Sequence, residues 1–213
     1  MKQVTRELAD ALFERQPLLA PFAAPLALAT EALCACHAHD GLVLICGNGG
    51  SAADAGHIAG ELLKGFLLPR PPGPAQSAAL EHAFGEAAPA GKLQRGIRAV
   101  NLCEASAILT AAANDLGPEL IFAQQVFSLG RPGDVLIGLS TGGNARNVIR
   151  AFQTARAVGL RTIGFTGARP GGMDAFCDLL FKVPATETFL VQELHLPLYH
   201  ALCAMVESEC FGC

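Results

Sequence analysis

The sequence predicts an α/β protein in which a parallel β-sheet lies between two layers of helices. Short apolar segments bounded by turn residues alternate with segments of helical periodicity. Strands that alternate with helices of about 10–15 residues are typical of a parallel sheet covered on both faces. The predicted strands span residues 42–46, 97–102, 134–139, 161–166 and 178–183. The predicted helices that follow them span residues 51–66, 105–113, 118–129, 145–158 and 188–209.

Two further segments lie outside this alternation. Residues 1–40 are rich in Ala and Leu and predict one or two helices, which proline breaks near Pro17, Pro21 and Pro25. Residues 67–91 are rich in Pro and Gly and predict a loop insertion, with a short helix over residues 77–84 as an alternative. We expect residues 1–213 to form a single domain.

The composition argues against several classes of protein. With 51% hydrophobic and 16% charged residues, the chain is too apolar for a disordered protein, and its net charge of -4 argues against a dedicated nucleic-acid binder. No apolar stretch reaches the roughly 18 residues of a membrane span without a charged, polar or proline residue. Charged residues of both signs precede the apolar segment 17–29, which is unlike a signal peptide. We therefore expect a cytoplasmic protein that binds neither membranes nor nucleic acids and whose eight cysteines are free thiols.

Two of the predicted strands end in loops rich in glycine and hydroxyl side chains. Residues 47–51 (GNGGS) follow one strand, and residues 140–144 (STGGN) follow another. Glycine lets the backbone approach a ligand closely, and the N-terminus of the next helix favours an anion. The two loops together favour a phosphate site, and the alternative is that both are simply tight turns between a strand and a helix.

A second set of residues suits a metal ion. His57 and Glu61 are four residues apart on one face of a predicted helix. Gln192 and His200 are about two turns apart on the last predicted helix, where Pro197 can kink the axis and change their register. Nitrogen and oxygen ligands of this kind fit zinc. The alternative is that His57 is a half-buried histidine bonded to the backbone and Glu61 is a solvated helix residue.

Together these motifs resemble the sugar isomerase (SIS) family, and within it the phosphoheptose isomerases. The resemblance covers about residues 35–211 and rests on the order and spacing of residues 47–51 with Asp54, His57 and Glu61, then Asn114-Asp115, residues 133–144, and Gln192, Glu193, His195 and His200. It implies a three-layer α-β-α sandwich with a five-stranded parallel sheet and N-terminal helices. It also implies a homotetramer with active sites between subunits.

At the matching positions the resemblance implies a complete site. The sugar phosphate would be bound by Asn48, Gly49, Gly50, Ser51, Asn114, Asp115, Ser140, Thr141, Asn144 and Gln192. One zinc ion per subunit would be held by His57, Glu61, Gln192 and His200. Glu61 would be the catalytic base and His200 its partner, since moving a hydrogen between neighbouring carbons needs a base and an acid. The implied reaction converts sedoheptulose 7-phosphate to D-glycero-D-manno-heptose 7-phosphate through an enediol.

The sequence also departs from the family pattern. Gly142 and Ala145 stand where relatives carry serine, and Phe189 stands where they often carry a polar residue. Each lost hydroxyl donor would weaken phosphate binding by about 1 kcal/mol unless another group replaces it. The candidates for a compensating charge are Lys64, Arg70, Arg95 and Arg98.

The residues are also compatible with two other functions. One is a non-enzymatic SIS protein that binds a replication initiator or another partner, and the other is an isomerase of a different sugar phosphate. The presence of both Glu61 and His200 favours an enzyme over a binding protein.

Overall fold

The computed structural model describes residues 1–85 and 91–212. Within them the strands are β1 (Val43–Gly47), β2 (Ala99–Asn101), β3 (Val135–Leu139), β4 (Arg161–Thr166) and β5 (Leu179–Lys182). They form one parallel sheet in the order β2-β1-β3-β4-β5. The predicted strand positions are confirmed, and the largest difference in a bound is at β2, which begins at Ala99 rather than at residue 97.

The helices of the same residues occupy both faces of the sheet. They are α1 (Gln3–Arg15), α2 (Ala23–Ala38), α3 (Gly50–Leu63), α4 (Pro74–Phe84), α5 (Ser106–Asp115), α6 (Ile121–Leu129), α7 (Arg146–Ala157) and α8 (Thr188–Phe211). Short 3₁₀ turns span Pro17–Phe22, Pro118–Leu120 and Asp174–Phe176. The break between α1 and α2 falls at the predicted prolines, because the chain turns through Pro17–Phe22 before α2 begins.

Each face of the sheet has its own hydrophobic core, because successive side chains of a strand point to opposite faces. One core contains Ile45 and Ile137 together with side chains of α1, α2, α3 and α8. The other contains Leu44 and Leu136 together with side chains of α6 and α7. This arrangement confirms the three-layer α-β-α sandwich and places α3 and α8 side by side on one face.

The segment predicted as a loop insertion contains a helix. Helix α4 covers Pro74–Phe84, which is longer than the alternative helix at residues 77–84, and the prediction of a loop over most of 67–91 is wrong there. Proline at the first position and glycine in the left-handed conformation (φ 72° at Gly85) after the last turn are ordinary helix boundaries. Residues 86–90 of the predicted insertion lie outside the described part of the chain.

Two stretches, Pro17–Ala38 and Thr188–Phe211, are long and apolar enough to span a bilayer by length and composition alone. The second is α8, which runs without interruption through Pro197 and buries more than half of that stretch in this fold. Its length and apolar character therefore match the core helix of an α/β domain.

Candidate active site

The two glycine-rich loops meet at the carboxyl edge of the sheet. Strands β1 and β3 are neighbours, and Gly47 at the end of β1 is in register with Leu139 at the end of β3. The chain continues from β1 into α3 on one face and from β3 into α7 on the other. Open parallel sheets bind ligands at such a point, where neighbouring strands lead to helices on opposite faces. The structure therefore brings residues 47–51 and 140–144 to one crevice.

The first loop has a backbone that suits glycine. Gly49 has φ 56° and ψ −122°, a conformation that L side chains rarely adopt. A Cβ on Gly50 would lie 2.5 Å from Nε2 of Gln192. The side chain of Gln192 therefore reaches from α8 directly over the first loop.

The second loop is tied to the end of β4 and to the segment that follows it. The backbone N–H of Ser140 donates to the carbonyl of Phe165 (3.0 Å), and the carbonyl of Thr141 accepts from the N–H of Gly167 (2.9 Å). Asn144 donates from Nδ2 to the Gly142 carbonyl (2.8 Å), and its Oδ1 accepts from a backbone N–H of that following segment (2.9 Å). The Asn144 carboxamide thus braces the loop.

A pair of asparagines also joins the first loop to α7, the helix that follows the second loop. Asn48 and Asn147 exchange two hydrogen bonds, Nδ2 to Oδ1 in each direction, both at 2.9 Å. Asn147 lies in the first turn of α7 and was missed from the sequence. Its position three residues after Asn144 was the available signal.

A cluster of titratable side chains lies where α3 faces α8; we refer to Asp54, His57, Glu61, Tyr199 and His200 as the histidine cluster. Nε2 of His57 lies 3.1 Å from Oε1 of Glu61 and 3.3 Å from Nε2 of His200. Nδ1 of His57 lies 3.2 Å from the hydroxyl of Tyr199, which donates to Oδ1 of Asp54 (3.0 Å). His57 is exposed and His200 is half-buried, so the cluster is open to solvent on one side.

Burial sets the electrostatics of this cluster. Desolvation and the neighbouring His57 lower the pKa of His200 below its ordinary value, which favours a neutral imidazole. Desolvation, followed by the Asp54 carboxylate, raises the pKa of the Tyr199 hydroxyl, so Tyr199 keeps its proton. Desolvation also raises the pKa of Asp54, against the hydrogen bond from Tyr199. Oδ2 of Asp54 is buried and has no hydrogen-bond partner among the described residues.

The donors of the cluster suit a metal ion in type and spacing. A tetrahedral zinc site with bonds of roughly 2.0–2.1 Å places its ligand atoms about 3.3 Å apart. The separations from His57 Nε2, at 3.1 and 3.3 Å, are close to that value. Across residues 1–85 and 91–212, however, no group of three or more His, Cys, Asp or Glu side chains is arranged as a complete metal site.

Some of the predicted site residues lie apart from this cluster. Asn114 and Asp115 are exposed at the end of α5, where Asn114 donates to Oδ1 of Asp115 (2.7 Å). Among the described residues neither of them hydrogen bonds to the first loop or to the histidine cluster. Gln192 likewise makes no hydrogen bond to His57, Glu61 or His200 within the described chain.

Two of the four candidates for a compensating cation lie away from the second loop. Arg70 is fully buried and pairs with Glu207, from Nε to Oε1 at 2.7 Å. Arg98 bonds to Asp40, which precedes β1 and so lies at the opposite edge of the sheet. Neither guanidinium can reach a phosphate on the loops.

The Arg70–Glu207 pair instead fixes the helix that carries Glu61. Arg70 donates to the backbone carbonyls of Leu62 (2.7 Å) and Glu61 (3.0 Å) at the end of α3. Glu207 on α8 accepts backbone N–H bonds from the segment after α3, from Phe66 (2.7 Å) and from residues 67 and 68 (2.7 and 3.0 Å). The pair thus locks the end of α3 against α8.

The SIS domain family model matches residues 14–95 and 73–167 of the chain, which covers both glycine-rich loops and the first half of the histidine cluster. Together with the α-β-α sandwich, the match shows that the chain belongs to the SIS domain family.

Proteins similar to the chain include several phosphoheptose isomerases. The phosphoheptose isomerase of Burkholderia pseudomallei (strain 1710b) is 44% identical over 182 residues, or 85% of this chain and 80% of its own. That of Desulfovibrio desulfuricans is 36% identical over 98% of this chain and 88% of its own. The solved phosphoheptose isomerase structure from Neisseria gonorrhoeae superposes with a TM-score of 0.72 at 34% identity, covering 96% of this chain and 97% of that one.

Proposed function

We propose that the protein is an isomerase that converts sedoheptulose 7-phosphate to D-glycero-D-manno-heptose 7-phosphate through an enediol. The observation that carries the proposal is the convergence of Glu61 and His200 on His57, beside a glycine-rich loop at the carboxyl edge of the sheet. The phosphoheptose isomerases that resemble the chain over most of its length support the same reaction. The alternative of a non-enzymatic binding protein is not favoured by these relatives.

The residues of the site divide the work of the reaction. The first loop and the N-terminus of α3 bind the phosphate or its neighbouring hydroxyls, because backbone N–H groups and the helix dipole favour an anion. Glu61 takes the proton from C1 and returns it to C2, and His200 moves a proton between the oxygens on those carbons. A neutral His200, favoured by its lowered pKa, can both accept and donate that proton.

We also propose one zinc ion per subunit, held by His57, Glu61, Gln192 and His200. The donor types and the two separations from His57 Nε2 support it. When bound, zinc polarises the carbonyl and stabilises the enediolate. Neither Glu61 nor His200 can be a tight zinc ligand and a free acid or base at the same time, so with zinc bound both side chains would have to shift between the two roles.

We also propose a homotetramer with the active site between subunits, because apolar side chains around the site are exposed. Leu63 and Leu67 follow Glu61 along the chain and are 50% and 57% exposed. Phe189 and Leu196 on α8, spaced by helical turns from Gln192 and His200, are 62% and 39% exposed. His200 also borders a groove of about 250 Å³ lined by α1 and Leu67. A second copy that covers these surfaces would bury them and close the site.

We propose a soluble, cytoplasmic location. The α/β fold buries most of its longest apolar helix, as soluble enzymes do. The cysteines of the described residues are free thiols, which suits a reducing compartment.

The test is a turnover assay of the full chain with sedoheptulose 7-phosphate, run once with added zinc and once with a chelator. Product formation is monitored by NMR. We expect the aldoheptose phosphate to form with zinc, and to be lost in Glu61→Gln and His200→Ala. Light scattering of the same samples gives the oligomeric state. Absence of turnover from a folded tetramer that still binds the sugar phosphate would contradict the isomerase and indicate a binding protein.

A further inference from the structure

The hydroxyl of Tyr199, which is not among the predicted site residues, lies in the middle of a network of hydrogen bonds. Tyr199 is the single tyrosine of the sequence and is fully buried. Its oxygen is 3.0 Å from Oδ1 of Asp54 and 3.2 Å from Nδ1 of His57. Tyr199 and His57 belong to α8 and α3, so this contact spans the two helices of the site.

With Asp54 ionised, the protons of this hydrogen-bond network have one consistent arrangement. A tyrosine hydroxyl has one proton, and a carboxylate only accepts. The Tyr199 proton therefore goes to Asp54, and the Tyr199 oxygen accepts from His57, whose proton is on Nδ1. In the neutral imidazole the lone pair is then on Nε2, which faces Oε1 of Glu61 (3.1 Å) and Nε2 of His200 (3.3 Å).

This assignment has a chemical consequence at Nε2. The lone pair of His57 and the carboxylate of Glu61 are both acceptors, so a stable arrangement needs a proton or a metal ion between them. If His57 instead had its proton on Nε2, it would donate to Glu61 and block that position. The partner of Nδ1 thus decides whether His57 presents a ligand or a hydrogen-bond donor.

We propose that Tyr199, braced by Asp54, is a positioning residue that holds His57 in the Nδ1–H tautomer and aims its Nε2 lone pair at Glu61 and His200. The inference rests on the proposed function for its significance, because it explains how His57 becomes available as a ligand. The assignment of the tautomer itself depends only on the contacts of Tyr199, Asp54 and His57.

His195 provides an internal reference for the measurement. It lies on the same helix but is buried, with Nε2 3.2 Å from the carbonyl oxygen of Thr166, to which it donates. Its Nδ1 has no partner among the described residues. His195 therefore has the opposite tautomer, Nε2–H, in the same protein.

The test reads the histidine tautomers of the ¹⁵N-labelled, chelator-treated full chain by long-range ¹H–¹⁵N correlation at alkaline pH, where neutral imidazoles predominate. We expect His57 as Nδ1–H and His195 as Nε2–H in the unmutated protein. In Tyr199→Phe, which keeps the ring, we expect His57 to change to Nε2–H while His195 stays the same. A His57 that is already Nε2–H in the unmutated protein overturns the proposal, whether or not the variant folds.

The same variant is then titrated with Zn²⁺ alone against a competing chelator and assayed with the sugar phosphate. Loss of a residue that orients a ligand weakens metal binding by about 10–100-fold. We expect a loss of that size in Tyr199→Phe, with a lower kcat and an unchanged KM because the phosphate loops are untouched. An unchanged zinc affinity and tautomer in a folded Tyr199→Phe protein would refute the positioning role.

The matched control is Ser208→Ala. It also removes one buried hydroxyl from α8, where Ser208 bonds to Thr5 Oγ1 at 2.9 Å away from the site. We expect it to leave the His57 tautomer, the zinc affinity and kcat unchanged, and equal effects in both variants would reduce Tyr199 to a packing residue. An unmutated protein without isomerase activity but with Nδ1–H at His57 would contradict the proposed function alone.

Discussion

Two polar clusters join α3 to α8, and they differ in how completely their groups are paired. The Arg70–Glu207 pair is fully buried, and its guanidinium and carboxylate bond to each other and to backbone groups of residues 61, 62 and 66–68. In the histidine cluster, two acceptor-bearing groups, Glu61 and His200, converge at Nε2 of His57, and Oδ2 of Asp54 has no partner among the described residues. The Arg70–Glu207 cluster is therefore closed, in the sense that its charged groups are paired, whereas the histidine cluster has acceptor atoms without a donor in the described part of the chain.

The difference separates a structural cluster from a functional one on the same two helices. A buried charge that is fully paired contributes rigidity, and removal of one partner leaves the other unpaired at high cost. A cluster with unmet lone pairs at the surface is poised to take up a proton, a metal ion or a substrate. The first cluster therefore fixes the end of α3, and this holds Glu61 in place for the second.

The largest expected effect is on stability, in Arg70→Met. The substitution leaves Glu207 buried without its partner, and a loss of one partner of a buried pair costs about 3–5 kcal/mol. Urea unfolding followed by circular dichroism measures the loss. The exposed Arg15→Met variant is the control and should stay within about 0.5 kcal/mol of the unmutated protein. A loss below about 1 kcal/mol in Arg70→Met would show that the closed cluster is dispensable.

The opposite pattern is expected for Glu61→Gln. Loss of a general base lowers kcat by about 10²–10⁴-fold, so we expect a loss near 10³-fold, or about 4 kcal/mol. Stability should hold or rise, because the amide introduced by the substitution can donate to His57 Nε2 where a carboxylate cannot. Steady-state kinetics and urea unfolding of the same preparation measure both quantities.

The control for Glu61→Gln is Glu193→Gln, an exposed carboxylate on α8. It should change neither kcat nor stability. A Glu61→Gln protein that keeps its kcat would remove Glu61 from the reaction and with it the distinction between the two clusters.

The third prediction concerns the pH dependence of stability. It depends on His195, a buried histidine five residues before His200 in the histidine cluster. Desolvation lowers the pKa of His195 to about 4. In the unfolded chain, His195 binds a proton with the ordinary histidine pKa of about 6.5. Protonation of His195 therefore favours unfolding as the pH falls from about 6.5 to about 4. At pH 5 this single histidine should cost about 2 kcal/mol of stability relative to pH 8.

The measurement is urea unfolding from pH 8 to pH 4.5 in the unmutated protein and in His195→Gln. We expect the variant to lose less stability over this range, whereas His82→Gln, which removes an exposed histidine of α4, should follow the unmutated curve. If the free energy of unfolding had the same pH dependence in all three proteins, protonation of His195 would not contribute to the loss of stability.

The sequence was sufficient for the sheet but not for the pairings between distant segments. Strand β4 was predicted at its observed bounds, because apolar runs between glycine and polar turns are a local signal. Helix α4 was assigned mainly to a loop, because proline and glycine were interpreted as breakers when they delimit the helix at Pro74 and Gly85.

The polar clusters show the same limit. The motif residues of the first loop and α3 could be recognised from their spacing, since they lie within one local segment. Arg70 was one of four candidates for a compensating charge, but its partner Glu207 is 137 residues away, and Tyr199 is 145 residues from Asp54. No periodicity connects residues at that distance, so only the packing of α8 against α3 reveals these pairs.

The smallest expected effect is a gain in binding from Gly142→Ser in the second loop. A Cβ at Gly142 would meet no atom within 4 Å, and its backbone does not have the left-handed φ of Gly143. A hydroxyl there can donate to the phosphate, and one such hydrogen bond contributes about 1 kcal/mol, or roughly a fivefold lower KM. We expect kcat to stay the same, as measured by steady-state kinetics with the sugar phosphate.

The neighbouring Gly143→Ser is the matched control for this gain. Gly143 has φ 66°, and a Cβ there would lie 3.0 Å from the Cα of Gly171, so the same side chain one position later should distort the loop and raise KM. An unchanged KM in Gly142→Ser would mean that the backbone N–H groups already saturate the phosphate. A lower KM would show that the open site has room for a further donor, whereas the fully paired Arg70–Glu207 cluster has none.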